Sequence, residues 1–134
     1  MFKLSDRSMM NADGVDPRLV QIACRAIQIT PIDFGIPSSG GLRTVAQQAR
    51  LFANGKSKCD GYLKKSKHQS GRAIDFYAYV EGRASWNRHY LSLIATAFLQ
   101  ASCELCFYVQ WGGLWNAWQY PDGWRDMPHI QIVG

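Results

Sequence analysis

Nowhere in these 134 residues does an apolar run approach the roughly 20 that a bilayer-spanning helix needs, so no transmembrane segment is expected. Met1 to Ser8 mixes charged and apolar side chains without a continuous hydrophobic stretch, which argues against a secretory signal. Both absences lead to the expectation of a chain that folds and accumulates in the cytoplasm. Cysteine is scarce: Cys24, Cys59, Cys103 and Cys106 are too few for a disulfide scaffold, and buried or inert thiols are expected. Cys103 and Cys106 have half of a zinc-ribbon spacing, but no second pair completes it. Repeats, low-complexity tracts and Pro/Gly/Ser linkers are missing, so residues 1–134 read as one domain. Acidic residues are in deficit, with 10 Asp and Glu against 15 Lys and Arg, and the net charge is +5. Lys56, Lys58, Lys64, Lys65 and Lys67 carry part of that excess. Such a segment either favours a polyanionic partner or keeps a loop solvated. No helix-turn-helix, zinc-finger or RNP pattern accompanies it, so nucleic acid is not the expected partner.

The chain does have apolar bulk: 47% hydrophobic residues, with five Trp, six Tyr and six Phe, are enough for a core. Asp16 followed by Pro17 reads as an N-cap with Pro at the first helical position, and Leu19, Ala23, Ala26, Ile27 and Thr30 recur at helical spacing up to Pro31. Residues 32–37 suit a short strand, followed by a flexible turn at Ser38-Ser39-Gly40-Gly41. Thr44 can cap a second helix that carries Val45, Ala49 and Phe52 on one face and stops at Gly55. Residues 55–71 lack periodicity and read as a long exposed loop. Residues 73–80 read as one strand, with Ala73, Asp75, Tyr77 and Tyr79 on one face and Ile74, Phe76 and Ala78 towards the core. The longest helical pattern runs from Tyr90 to Leu105. Residues 107–111 and 129–133 are two further strands, separated by an aromatic loop over 112–124. The fold class is α+β, with a small antiparallel sheet and flanking helices.

The chemistry concentrates in two short segments. Ser66-Lys67-His68-Gln69-Ser70-Gly71-Arg72-Ala73-Ile74-Asp75 is answered late in the chain by Asp126-Met127-Pro128-His129. His68, Asp75 and His129 offer two imidazoles and a carboxylate, the donor set of a catalytic zinc site that keeps its fourth position open. A structural site would be closed by a fourth ligand, usually a thiolate, and neither segment contains cysteine. Gly71 allows the turn that brings His68 back towards Asp75. His129 comes from a distant strand, on the face shared with Gln131 and Val133. Asp126 reaches the same cleft without taking a coordination position and is the candidate general base. His89 has no acidic or His neighbour at ligand spacing and reads as a surface residue.

Ser66, His68, Gly71, Ala73 and Asp75 match the SxHxxGxAxD signature of the D-alanyl-D-alanine carboxypeptidase-like zinc peptidases, and Asp126 with His129 resembles their acid-x-x-His motif. Arg43, Thr44 and Gln48 after the glycine turn are similar to the upstream Arg element of that family. The resemblance spans roughly residues 40–133 and is nearest to phage endolysins that cut the L-alanyl-D-glutamate bond of peptidoglycan stem peptides. It implies a hedgehog/D-Ala-D-Ala peptidase-like fold with Zn²⁺ at the sheet, held by His68, Asp75 and His129. It further implies Asp126 as catalytic base, Arg43 as a stabiliser of negative charge, and Ser66 and Gln48 as substrate-binding residues. Peptidoglycan is the implied partner of a monomeric enzyme, with electrostatic contact to the anionic envelope. The enzyme would wait in the host cytoplasm and act after release to the cell wall or periplasm, without a separate wall-binding domain. Many members carry Glu two residues after the last ligand His, where this chain has Gln131. Three readings compete with the endopeptidase: a D-alanyl-D-alanine carboxypeptidase or dipeptidase, a zinc-stabilised binding module without catalysis, and a basic nucleic-acid-binding domain that needs no zinc.

Overall fold

The structure, a computed structural model, describes residues 1–115 and 125–134. Its first helix, α1 (Asp6–Asn11), carries no apolar periodicity and was not anticipated from the sequence. It is set by the Ser5 side chain, which caps the Ser8 amide, and by Ser8, whose buried hydroxyl accepts from the Ile36 amide at 3.0 Å. The second helix, α2 (Pro17–Ile29), begins as expected, with Asp16 capping Arg18 and Pro17 in the first turn, and buries Leu19, Ile22, Ala23, Ala26 and Ile27. Strand β1 (Phe34–Gly35) is shorter than the expected 32–37. Helix α3 (Val45–Ala53) starts with a capping box between Thr44 and Gln47.

The largest departure from expectation lies at Phe76. Residues 73–80 are not one strand of one sheet: β2 (Ala73–Asp75) and β3 (Tyr77–Val80) belong to two different three-stranded sheets. The Phe76 amide leaves both ladders and donates to the Pro128 carbonyl at 2.9 Å. One sheet has the order β1-β3-β4, where β4 (Arg83–Ser85) follows β3 through a two-residue turn at Glu81 and Gly82, both with positive φ. The other has the order β2-β6-β5, built with β5 (Val109–Trp111) and β6 (His129–Ile132), and is antiparallel throughout. Helix α4 (Arg88–Leu105), capped by Asn87, buries Leu91, Ile94, Ala95, Phe98 and Ala101 and packs on α2. Phe34, Phe76 and Phe98 join the two sheets to α4, with the Phe76 and Phe98 rings stacked at 5.1 Å and Phe34 at 5.1 Å from Phe98.

The cysteines are unpaired, as expected, but they are not buried: Cys24 and Cys59 are half-buried, and Cys103 and Cys106 are exposed. His89 is exposed, as expected. No helix among the described residues is long and apolar enough to cross a membrane. Of the aromatic loop, Trp111 and Trp115 can be placed, whereas Trp118, Tyr120 and Trp124 lie outside the described residues.

Candidate metal centre

Register in the second sheet brings the first two site residues together. Asp75 of β2 lies directly opposite His129 of β6, and such cross-strand neighbours project side by side from one face. Ala73 and Gln131 form the next pair on that face, while Ile74 and Ile130 point into the core. His68 arrives from outside the sheet. The segment read as exposed loop contains a short 3₁₀ turn (Lys67–Ser70), and His68 within it is buried. The turn ends at Gly71 with φ +72°, where a Cβ would stand 2.5 Å from the Gly14 carbonyl oxygen, so glycine is required on both counts.

The three side chains converge on one point. His68 Nε2 lies 3.1 Å from Asp75 Oδ1 and 3.2 Å from His129 Nδ1, and His129 Nδ1 lies 3.3 Å from Asp75 Oδ1. Bonds of about 2.0–2.1 Å to a tetrahedral zinc place its ligands about 3.3 Å apart, so these atoms have the spacing of one face of that tetrahedron. The outward nitrogens establish which atoms face inward. His68 Nδ1 lies 3.0 Å from the Gly41 carbonyl, which can only accept, so in the neutral ring Nε2 is a lone pair. His129 Nε2 lies 2.9 Å from Gln131 Oε1, which leaves Nδ1 as the inward lone pair. Two imidazole lone pairs and a carboxylate oxygen then face one another with no donor between them. A proton or a cation must fill that gap, and the donor set suits zinc.

Protonation follows the same logic. Burial pushes the affinity of His68 for a proton down, as expected of an imidazole sealed from water. Burial opposes charging His129 as well, but the facing carboxylates of Asp75 and Asp126 outweigh it and raise its pKa. Burial alone would raise the Asp75 carboxyl, yet the two imidazoles hold it well below the usual carboxylate range. A cation at this point would therefore compete with a proton for His129. Asp126 stands slightly apart, with Oδ2 3.7 Å from His129 Nδ1, and burial, followed by repulsion from Asp75, pushes it up to about 6.

Backbone groups from the glycine turn lock this arrangement. The Gly40 carbonyl accepts from the Asp75 amide at 2.8 Å, and the Gly41 carbonyl is the one that orients His68. A Cβ on Gly41 would overlap the Asn11 carbonyl oxygen, so the turn is a fixed wall of the site rather than the flexible turn its composition suggests. The sequence signal was there: a Gly-Gly pair marks a place where backbones approach closely. Gly112 does the same for Asp126, because a Cβ there would overlap the Asp126 carbonyl oxygen, and Gly112 accepts the Asp126 amide at 3.1 Å. Trp115 stacks obliquely on His129 at 5.2 Å and forms part of the cleft wall.

The remaining site residues are placed as follows. Arg43 lies beside the cluster, 9% exposed, donating to the Ser39 carbonyl at 2.7 Å, Gln48 Oε1 at 3.0 Å and Asp75 Oδ2 at 2.9 Å. Ser66 lines the cleft, but its hydroxyl caps the 3₁₀ turn by accepting from the His68 amide at 3.2 Å. Gln48 does not line the cleft: it is completely buried behind Arg43, so the structure corrects its reading as a substrate contact. The cleft, about 230 Å³, is rimmed on one side by Lys56, Lys64, Lys65 and Lys67 and on the other by Gln110, Trp115 and Gln131.

The geometry can be set beside known proteins. Residues 1–133 match the family model for the phage L-alanyl-D-glutamate peptidase. The chain is 39% identical to the L-alanyl-D-glutamate peptidase of Escherichia phage T5 over 141 residues, covering 98% of each. It is similar in structure to the L-Ala D-Glu endopeptidase ChiX of Serratia marcescens, with a TM-score of 0.80, 32% identity, and coverage of 96% of this chain and 87% of that one. A more distant likeness, in fold alone, is to the L,D-carboxypeptidase DacB of Streptococcus pneumoniae, at 16% identity and a TM-score of 0.53 over 92% of this chain and 69% of that one. With the match running almost end to end, the chain belongs to the phage L-alanyl-D-glutamate peptidase family.

Proposed function

We propose that this protein is a zinc-dependent endolysin that hydrolyses the L-alanyl-D-glutamate bond of peptidoglycan stem peptides, acting as a monomer on the wall of a lysing host. The observation that carries the reading is the inward-facing acceptor triad of His68, Asp75 and His129, set 3.1–3.3 Å apart in a chain of this family. A zinc ion held by these three residues supplies Lewis-acid polarisation of the scissile carbonyl and activation of a water. Asp126 sits at the edge of the cluster, with Oδ2 3.7 Å from His129 Nδ1, suited to take a proton from the attacking water and return it to the leaving amine. Arg43 holds Asp75 Oδ2 by a hydrogen bond and so aims the carboxylate, and its charge at the cleft wall favours negative charge on the carbonyl oxygen. Ser66 shapes the turn that presents His68. The lysine rim draws the protein, after its release from the host cytoplasm, towards the anionic envelope.

Mass spectrometry of purified peptidoglycan, digested by the protein as isolated, after chelation and after zinc is restored, tests this. New L-alanine C-termini and D-glutamate N-termini are expected, vanishing with the chelator and returning with the metal. Release of free D-alanine would identify a carboxypeptidase, and no cleavage by folded, metal-loaded protein would identify a binding module. Gly112→Ala should cost roughly tenfold to a hundredfold in kcat, because displacing the Asp126 backbone misplaces its carboxylate. An unchanged kcat in that variant would show that the base tolerates the shift.

A further inference from the structure

Gln48 holds a junction that the proposed chemistry does not use. Its Oε1 accepts from Arg43 Nη1 at 3.0 Å, and its Nε2 donates to Ser57 Oγ at 2.9 Å and to the Cys59 carbonyl at 2.8 Å. Both amide hydrogens and the carbonyl oxygen are engaged, so the orientation of the group is determined: turned over, it would set N–H against guanidinium and oxygen against the Cys59 carbonyl. The side chain is completely buried. Gly61 lies against its stem, where an added Cβ would stand 3.3 Å from both Gln48 Cβ and Cγ, so the chain beyond Cys59 also packs on this side chain. On the other side, Arg43 Nη2 holds Asp75 Oδ2 at 2.9 Å, which leaves Asp75 Oδ1 as the oxygen turned to both imidazoles.

We infer that Gln48 is a positioning residue for the metal ligand Asp75, acting through Arg43, and that it ties this brace to residues 57–59 at the base of the lysine-lined cleft wall. Gln48 touches neither substrate nor metal. Unclamped, Arg43 would lose one of the contacts that fix its plane, and the Asp75 carboxylate would be free to rotate away from the imidazoles. Residues that orient a ligand in this way typically govern metal affinity by ten- to a hundredfold. The inference rests on the metal reading of the triad, and its test separates the two.

Zinc affinity is measured by competition with a chromophoric chelator on the parent protein, Gln48→Met and Gln48→Glu, each checked for folding by near-ultraviolet circular dichroism. Met matches the volume of Gln but offers Arg43 nothing, so zinc should bind roughly tenfold to a hundredfold more weakly. Glu keeps an acceptor for Arg43 while losing the donors to Ser57 and Cys59, so it should recover most of the affinity, while amide exchange over residues 57–66 quickens. Should Gln48→Met fail to fold, Gln48→Asn, which withdraws the amide by one methylene, replaces it with the same expectation. Parent-like zinc affinity in the folded Met or Asn variant overturns the inference, and so does an equal loss in Met and Glu, the mark of a merely structural side chain. A parent protein that binds no zinc overturns the metal reading itself, and this inference with it.

Discussion

Asp126→Ala should lower kcat by about 10²–10⁴-fold, the usual contribution of a positioned general base, while leaving zinc affinity within a few-fold of the parent. The two halves of that expectation come from one distance. Asp126 Oδ2 lies 3.7 Å from His129 Nδ1, outside the 3.1–3.3 Å spacing of the three donors, so under the proposed roles its removal takes away a proton acceptor and not a ligand. A base works only when unprotonated. In the metal-free protein its carboxyl is pushed up to about 6 by burial and by Asp75, and a cation in the site draws it back down. The acid limb of kcat/KM in the loaded enzyme should therefore lie at or below pH 6, and a limb above neutrality would assign the base elsewhere. The same shift has a sign for stability. Because the folded pKa stands above that of an ordinary aspartate, the fold disfavours the ionised carboxylate, and this penalty is full above pH 6 and fades as the pH falls towards about 4. Metal-free Asp126→Asn should thus be more stable than the parent at pH 7.5 and no more stable at pH 4, as read by urea unfolding.

Phe76→Ala should destabilise the metal-free protein by about 3–5 kcal/mol, lowering Tm on the order of 10 °C. Phe76 is completely buried, stacks on Phe98 at 5.1 Å and meets Phe34 edge-on at 6.2 Å, so its loss opens a cavity where both sheets meet α4. Tyr79→Ala, three residues on and 46% exposed, is the matched control and should cost under about 1 kcal/mol. Unfolding in excess chelator keeps metal linkage out of the comparison. A Phe76→Ala loss no greater than that of the control would mean that the aromatic cluster collapses into the space.

Helices α2 and α3 were legible because their starts are chemically explicit: Asp16 before Pro17, and Thr44 with Gln47 three residues on. The cluster of His68, Asp75 and His129 was legible because histidine is rare in the chain, with three in all, and the residues fall in two compact motifs. The break at Phe76 was hidden by the very alternation that identified the strand. Phe76 points to the core on the same beat as Ile74 and Ala78, and side-chain period carries no information about which neighbour the backbone bonds. Strand β4 is Arg83-Ala84-Ser85, paired at the rim, with no apolar pattern to betray it. Helix α1 depends on Ser8, a polar residue buried for its bond to the Ile36 amide, and such tertiary contacts leave no periodic trace. Gln48 was noticed by resemblance but misassigned, because spacing gives no sign of depth.

All four cysteines are unpaired, so the chain has no covalent staple, yet the two imidazoles of the site stand 61 positions apart in sequence. A cation gripped by both would be a removable cross-link between the mid-chain turn at Lys67–Ser70 and the last strand. For a disulfide closing a loop of that length, the entropy withheld from the unfolded chain is worth about 4 kcal/mol, and a metal bridge draws on the same restriction. An ion held there would also pin the β2–β6 pairing, because Asp75 and His129, which face each other across it, would share the same ion.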